Sequence, residues 1–295
     1  MMGLASFTAN VKEHFAQSDS NASFQACGVR KTSVQQICRP MSNTCAVIFP
    51  LIGLVLQGQK TALYGAKRVN YKAGDVLIVG QILPIITTIV DASQDAPFLA
   101  TYVGLDMQVL RNLYLDIDGM RDTENVAAAF VTGVAENELI DAMARLFQLR
   151  RDPIEEQALG AAALSEVYYR ALNSNHGSAL KQMIHLDSKA NQIAKAIAHI
   201  RKNYRESIKA ADLASISGMS GSVFYETFKQ ITANSPLQYQ KDLRLHEAQQ
   251  LLQQAHVPIS QIALNVGYES AAQFSREFSR KFGEPPKAFR DARAA

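Results

Sequence analysis

Three cysteines near the N-terminus are the most nucleophilic side chains in this sequence of 295 residues. Cys27, Cys38 and Cys45 occur without any Cys-x-x-Cys spacing, which argues against a disulfide framework and against a zinc site built from cysteines alone. A thiol senses oxidants or electrophiles when its pKa is lowered and it is exposed. Redox sensing and burial as structural thiols are therefore alternative hypotheses for these residues.

The rest of the N-terminal region gives little support for metal-dependent or acid–base chemistry. No histidine occurs between residues 15 and 175, and histidine is the commonest ligand of catalytic transition metals. Asp75 follows Gly74 directly before an apolar run, a position typical of a turn former rather than an acid catalyst. Because no paired carboxylates, nucleophile elbow or phosphate loop stands out, we expect no enzymatic activity, no metal and no cofactor.

A pattern of small, capping and aromatic residues occurs twice in the C-terminal third. In each copy an alanine lies four residues before a glycine, a serine follows the glycine, and phenylalanines lie four and eight residues after the serine. The alanine lets two helices approach closely, the glycine tolerates the turn, and the serine caps the next helix. Each copy therefore predicts a helix-turn-helix unit. The two sets are Ala214, Gly218, Ser220, Phe224 and Phe228, then Ala263, Gly267, Ser270, Phe274 and Phe278.

The segment between the two copies, Leu237 to Gln253, has apolar residues at helical spacing and predicts one long helix. Two recognition helices mounted on such a rigid helix could enter successive major-groove segments on one face of DNA, about 34 Å apart. An all-helical dimerisation bundle is the alternative hypothesis. It does not explain why the exposed faces carry a set of basic residues, namely Lys229, Arg276, Arg280 and Lys281.

The distribution of charge also separates the C-terminal third from the rest of the chain. From Ser188 onward there are 15 Lys and Arg against 9 Asp and Glu, whereas residues 1 to 187 contain 15 against 18. The resulting net charges of +6 and −3 are typical of a polyanion-binding module joined to a neutral or acidic one. A solvated basic surface would give the same excess.

The elements expected before this module are mostly short strands. Residues 4–16 predict an amphipathic helix, and β-rich runs between turn residues from Val34 to Leu105 predict a small sandwich or barrel. Helices are expected from Asp106, across 136–149, and from Asp152, which precedes a proline. A polar connection is expected to begin at residues 173–178, and a second domain near Ser188.

The C-terminal repeat resembles the DNA-binding domain of the AraC/XylS family of bacterial transcriptional regulators. The resemblance extends from about Ile193 to Arg290 and is strongest in the second copy. Segments LVLQGQKTALYG, YKAGDVLIV, LPIITTIVDAS and PFLATYVGLD are similar to the cupin-like N-terminal domain of these regulators. The matching residues of the second copy are Ile262, Ala263, Gly267, Tyr268, Ser270, Phe274, Ser275, Arg276, Phe278, Phe282, Gly283 and Pro286.

This resemblance implies an α+β protein of two domains. Residues 1–175 would form a cupin-like regulatory and dimerisation domain, a small β-barrel with flanking helices, and residues 176–187 a linker. Residues 188–295 would form an all-α domain with two helix-turn-helix units joined by a long helix. The implied function is sequence-specific, signal-controlled transcriptional regulation in the cytoplasm. Expected partners are promoter or operator double-stranded DNA, a small-molecule effector, a second copy of the chain and RNA polymerase, with no membrane association.

Enzymes fused to such a DNA reader are a further alternative. Metal-dependent cupins use clustered histidines, which residues 15 to 175 lack, and an alkyl-transfer module with zinc-bound cysteines needs four thiolates. Both enzyme hypotheses are therefore disfavoured. A regulator that senses oxidants or electrophiles through Cys27, Cys38 or Cys45 stays open.

On the first recognition helix, burial of Phe224 and Phe228 directs four residues outward, Ser222, Tyr225, Glu226 and Lys229. The resemblance assigns the first three to base-contacting positions, and Lys229 is better placed for a phosphate. Glu226 departs from the arginine or glutamine of many DNA readers. Its carboxylate could accept from cytosine N4, or it could be solvated.

The second recognition helix is expected to expose Ala272, Gln273 and Arg276. Arg276 matches a family arginine that contacts a base or the backbone; the alternative is a surface ion pair. Ser270 could offer its hydroxyl to a phosphate or act only as a cap. Three further basic residues are assigned to phosphates or solvent, namely Arg280, Lys281 and Arg290.

Overall fold

The computed structural model describes residues 3–18, 22–116, 128–185, 188–254 and 257–294. Within these ranges strands dominate the N-terminal part and helices the C-terminal part. The strands are β1 (Phe24–Ala26), β2 (Thr32–Ile37), β3 (Met41–Ile48), β4 (Leu51–Gln57), β5 (Gln59–Tyr64), β6 (Lys67–Lys72), β7 (Asp75–Val79), β8 (Leu83–Ile89), β9 (Phe98–Gly104) and β10 (Phe130–Val134).

Helices flank these strands and then form the whole C-terminal part. The first five are α1 (Leu4–Gln17), α2 (Met107–Asp116), α3 (Asn137–Gln148), α4 (Pro153–Asn173) and α5 (Ser178–Ile184). The others are α6 (Lys189–Asn203), α7 (Ala210–Ile216), α8 (Gly221–Thr232), α9 (Pro236–Gln254), α10 (Ile259–Asn265), α11 (Ala271–Phe282) and α12 (Pro286–Ala294). The expected two-part α+β architecture is therefore confirmed.

The strands form two antiparallel sheets, so the prediction of a barrel is wrong in its closure. A six-stranded sheet has the order β1-β2-β9-β4-β7-β10, and a four-stranded sheet has the order β3-β8-β5-β6. No strand pairing between the described residues joins the two sheets. Apolar alternation predicts which face of a strand is buried, but it does not specify the strand's neighbour, and here the chain passes repeatedly from one sheet to the other.

The predicted helix starts at two aspartates are confirmed. Asp106 Oδ1 accepts hydrogen bonds from the backbone N–H groups of Gln108 and Val109, at 3.1 and 3.3 Å. Asp152 Oδ1 does the same for Ile154 and Glu155, at 2.8 and 3.3 Å. Each carboxylate satisfies amides that the first helical turn leaves without a partner.

The predicted linker contains helix α5. Its Leu180 and Ile184 are buried in a core formed by α1, α3, α4 and one face of the six-stranded sheet. Residues 186 and 187 of the predicted linker lie outside the described residues. Across the described part of the chain, no helix combines the length and the apolar character that a membrane crossing requires.

A second core lies between the two sheets and continues into the C-terminal helices. It joins Tyr64 and Leu77 of the strands to Ile197, Phe228 and Tyr239 of helices α6, α8 and α9. Because one apolar cluster spans both parts, the N-terminal sheets and helices α6 to α9 pack as one body.

Hydrogen bonds reinforce this junction at the corner between α8 and α9. Ala66 N–H, in the β5–β6 turn, donates to the Ala233 carbonyl at 3.3 Å, and Ala129 N–H donates to the Ile231 carbonyl at 3.1 Å. Tyr239 donates its phenolic hydrogen to a carbonyl of the N-terminal part, that of Ile82. The strands thereby hold the end of α8 and the start of α9.

Candidate nucleic-acid interface

Two helix pairs carry the repeated residues, and we call α7 with α8 the first pair and α10 with α11 the second pair. Both turns contain a glycine with positive φ, Gly218 at 65° and Gly267 at 92°. Both are closed by an equivalent hydrogen bond: Met219 N–H donates to the Ala214 carbonyl at 3.0 Å, and Tyr268 N–H donates to the Ala263 carbonyl at 2.9 Å. The repeat in the sequence thus corresponds to a repeat in backbone geometry.

Phenylalanines hold the second helix of each pair in place. Phe224 and Phe228 of α8 are buried, with ring centroids 5.6 Å apart, and Phe274 and Phe278 of α11 are buried at 5.5 Å. One face of each helix is therefore fixed in a core. The opposite face is available to solvent and can meet another molecule.

On α8, this outward face contains the four residues that the sequence predicts. Ser222, Tyr225, Glu226 and Lys229 are all exposed. Val223, 42% exposed, adds an apolar group that the sequence leaves at the boundary of the face. The α8 surface therefore combines hydroxyl, carboxylate, ammonium and apolar groups within about two helical turns.

On α11, Ala272 and Arg276 are exposed and Gln273 is half-buried. Ser270 Oγ accepts a hydrogen bond from Gln273 N–H at 3.4 Å, so this serine is a helix cap. Ser220 occupies the equivalent position before α8, but its side chain makes no cap hydrogen bond. The predicted capping role is thus confirmed for the second serine and wrong for the first.

Two ion pairs of opposite polarity connect α11 to the long helix α9. Lys241 Nζ lies 2.8 Å from Glu277 Oε1, and Lys281 Nζ lies 2.8 Å from Asp242 Oδ1. Lys241 and Asp242 are adjacent in α9, and their partners Glu277 and Lys281 lie one turn apart on α11. Asp242 also accepts a hydrogen bond from Asn234, beyond the end of α8, at 3.1 Å. Helix α9 thus fixes the first helix pair and the second helix pair relative to each other.

These contacts revise the expectation for two basic residues. Lys281 is directed at the Asp242 carboxylate, whose side chain is only 2% exposed, instead of at a phosphate. Arg290 donates from its guanidinium to the Val257 carbonyl at 2.7 Å. The sequence spacing predicted an outward position for Lys281 and Arg290, because spacing contains no information about hydrogen-bond partners 39 and 33 residues away.

Lys281→Met is expected to lower the free energy of unfolding by about 2 to 3 kcal/mol, because it leaves the buried Asp242 carboxylate without a counter-charge. The salt dependence of DNA binding should not change. Chemical denaturation and DNA titration at several salt concentrations measure the two quantities. Arg280→Met is the matched control, since Arg280 is exposed on the same helix. A stable Lys281→Met variant whose salt slope falls by about one unit would instead make Lys281 a phosphate contact.

Two of the three cysteines, Cys27 and Cys45, are less reactive than a thiol sensor requires. Burial raises the pKa of the Cys27 thiol to about 12 and that of the Cys45 thiol to about 12. Both are therefore protonated at neutral pH, and a protonated thiol is a poor nucleophile. Cys38 is half-buried and lines a surface groove with Arg39 and Met41. These observations disfavour the thiol-sensing alternative for Cys27 and Cys45.

Comparison with known proteins agrees with both halves of this architecture. Residues 29–179 match the family model described as AraC-type transcriptional regulator N-terminus, and residues 213–292 match a helix-turn-helix domain model. The lactose operon transcription activator of Staphylococcus xylosus is 24% identical over 233 residues, which cover 79% of this chain and 80% of that protein. The Msm operon regulatory protein of Streptococcus mutans is 22% identical over 250 residues, covering 81% and 83%.

The fold is similar to that of ToxT from Vibrio cholerae O395. The TM-score is 0.53 at 13% identity, and the match covers 91% of this chain and 97% of ToxT. The matched N-terminal family model alone spans more than half of the sequence. Since this model describes AraC-type regulators, a helix-turn-helix domain model also matches and both of these relatives regulate operons, the chain belongs to the AraC/XylS family of transcriptional regulators.

Proposed function

We propose that residues 188–295 form a DNA-binding domain with two helix-turn-helix units, the first pair and the second pair. Helices α8 and α11 would enter successive major-groove segments on one face of the duplex. The observation that carries this proposal is that α9 is fixed to two similarly built helices, each with an exposed polar face. Two ion pairs join α9 to α11, and Asp242 of α9 accepts a hydrogen bond from Asn234, just beyond the end of α8.

The exposed groups suggest a role for each residue. Ser222, Tyr225 and Glu226 of α8 would contact base edges, with Lys229 on a phosphate. Ala272 suits the methyl group of thymine, and Gln273 suits adenine. Ser270 uses its hydroxyl as a cap, so it would meet a phosphate only through its backbone.

Arg276 would make the strongest specific contact of α11. It is exposed, and none of the ion pairs between described residues includes it, so its guanidinium can donate two hydrogen bonds to guanine. Such a bidentate contact is worth about 1 to 3 kcal/mol of discrimination against the wrong base.

Arg276→Ala should therefore weaken binding to a cognate duplex by about 1 to 3 kcal/mol and relax preference at one base pair. The cognate duplex is obtained by selection from a randomised library with the full chain. Titration against selected and scrambled duplexes at several salt concentrations measures both effects. Equal weakening on all duplexes, with a salt slope lower by about one, would make Arg276 a phosphate contact. Unchanged binding to both would contradict its place in the interface.

We further propose that residues 1–175 receive a small anionic effector. A cavity of about 500 Å³ lies against the four-stranded sheet, within the size range of small-molecule sites. Its charged lining side chains include Arg68 and Lys72 against one carboxylate, Asp75. This excess of cationic residues favours a negatively charged ligand.

Lys60 belongs to the same sheet, but its side chain points to the opposite face, toward the six-stranded sheet. It is buried, and its ammonium contacts Gln35 Oε1 at 3.3 Å and the Phe98 ring at 5.3 Å; the described residues provide no carboxylate in ion-pair contact with it. Burial lowers the pKa of the Lys60 ammonium to about 8. Lys60 therefore does not contribute its ammonium group to the cavity.

Carboxylates are the first class to test, because ToxT from Vibrio cholerae has been crystallised with an unsaturated fatty acid bound. A carboxylate that binds the cavity should raise the melting temperature of the full chain, and Arg68→Met should reduce that increase. Lys67→Met is the matched control, since Lys67 is exposed on the same strand and is not part of the lining. Equal shifts in both variants, or a shift with uncharged analogues only, would contradict the proposal.

The family membership also supports a proposal about assembly. We expect a homodimer through the N-terminal part and RNA polymerase as a further partner on the promoter, in the cytoplasm where the DNA is found. Native mass spectrometry of the full chain tests the first point, and a monomer at micromolar concentration with DNA present would contradict it.

A further inference from the structure

A buried carboxylate lies directly beneath the outward face of α11. Glu277 is 9% exposed, and three side chains donate hydrogen bonds to it. Tyr268 OH donates to Oε2 at 3.0 Å, whereas Lys241 Nζ and Gln273 Nε2 donate to Oε1 at 2.8 and 3.2 Å. The carboxylate therefore links the turn, the long helix α9 and a residue predicted to contact DNA.

This environment keeps Glu277 ionised. Burial by itself raises the pKa of the carboxyl group, but the hydrogen bonds from Lys241, Gln273 and Tyr268 outweigh it and hold the pKa below its ordinary value. An ionised carboxylate can only accept hydrogen bonds. The group of Gln273 that faces it must therefore be the amide nitrogen.

The orientation of the Gln273 amide follows from the same charge. Its carbonyl oxygen is repelled by the carboxylate, so the N–H that points away from the oxygen is the one that donates to Glu277. The oxygen and the remaining N–H then lie side by side on the opposite edge of the amide. Adenine presents a donor at N6 and an acceptor at N7 in the major groove, which is the complement of this pair.

We propose that Glu277 is a positioning residue that presents the amide of Gln273 to an adenine in the DNA segment entered by α11. This inference rests on the proposed DNA contact by α11 and adds the residue that orients the Gln273 amide toward its base. Lys241 holds the carboxylate oxygen that faces Gln273 in place, so the amide is oriented before DNA arrives. Such preorganisation removes part of the conformational cost of binding.

The first pair lacks this arrangement. Fifty residues earlier, Val223 stands at the position of Gln273 and the buried Thr227 at that of Glu277. A valine offers only methyl groups, which suit the thymine methyl rather than adenine. The two half-sites are therefore expected to differ, with the adenine requirement confined to the half read by α11.

Four duplexes that differ only at the base pair facing Gln273 test the proposal. They derive from a sequence selected with the full chain from a randomised library, and Gln273→Ala identifies the base pair by loss of preference there. The wild-type chain should bind the adenine duplex about tenfold or more tightly than the other three. Glu277→Gln should reduce this preference to less than threefold, because a glutamine at 277 can both donate and accept and no longer selects one orientation.

Tyr268→Phe is the matched control, since it removes a hydrogen bond to the other oxygen of Glu277 and leaves the contact with Gln273. It should keep the adenine preference. Equal weakening of Glu277→Gln on all four duplexes would give Glu277 a structural role only and overturn the proposal, as would retention of the full preference. If Glu277→Gln fails to fold by circular dichroism, Gln273→Ala still decides: the proposal is overturned if this variant loses preference at no base pair, or at one where the wild-type chain does not prefer adenine. Failure of the wild-type chain to select any duplex would refute the proposed DNA-binding function itself.

Discussion

Gly267→Ala is expected to abolish specific DNA binding and to lower the free energy of unfolding by about 3 kcal/mol or more. Gly267 has a φ of 92°, where an L side chain is strained, and it lies against the backbone that follows α6. A Cβ at this position would lie 2.8 Å from Arg205 Cα and closer still to the Arg205 carbonyl oxygen. Because both groups belong to backbone, the turn between α10 and α11 would have to move.

Gly218→Ala separates the strain of positive φ from this overlap. Gly218 has a φ of 65°, but no atom lies within 4 Å of a Cβ placed on it. Its replacement should cost only about 1 to 2 kcal/mol. Thermal unfolding and DNA titration of both variants measure the difference. Equal losses would show that the close approach of the second turn to Arg205 does not contribute to folding.

Gly65→Ala is expected to separate the N-terminal sheets from the DNA-binding helices. Gly65 lies in the β5–β6 turn with a φ of 54°, and an added Cβ would lie 2.5 Å from the carbonyl carbon of Ala233 and closer to its oxygen. The same carbonyl accepts the hydrogen bond from Ala66. The turn would have to withdraw from the end of α8, which opens the shared core around Phe228.

The wild-type chain should unfold in one thermal transition because its second core spans both parts, whereas Gly65→Ala should show two. Differential scanning calorimetry measures the number of transitions. The overlap and the strain together should lower the free energy that couples the two parts by about 3 kcal/mol. Gly28→Ala is the matched control, with a φ of 74° and nothing within 4 Å of the new Cβ. Two transitions in the wild type would contradict the idea that the parts unfold together.

Features that depend on neighbours in sequence were predictable. Asp106 and Asp152 cap their helices as local chemistry predicts, each by accepting from the backbone N–H groups two and three residues later. The exposed positions on α8 and α11 followed from two phenylalanines one turn apart in each helix, since these decide which face is buried.

Features that depend on distant partners were not predictable. Strand β6 gives little sequence signal of its own: four of its six residues are exposed, so KRVNYK lacks the apolar run from which a strand is predicted. Glu277 resembled a surface carboxylate until the fold brought Lys241, 36 residues away, against it. The junction between the two parts also escaped prediction. Two of its hydrogen bonds join backbone groups, which carry no sequence signal, and the third joins Tyr239 to a carbonyl 157 residues away.

Methylation protection of guanine N7 on the selected duplex tests the central claim most directly, since this atom lies in the major groove. Binding by the full chain should protect two patches on one face, with centres about 10 base pairs apart, as expected for α8 and α11 on a rigid α9. Arg276→Ala should remove protection from one patch and leave the other. A single protected patch, or two patches on opposite faces of the duplex, would contradict the proposal that α9 holds two recognition helices in one fixed arrangement.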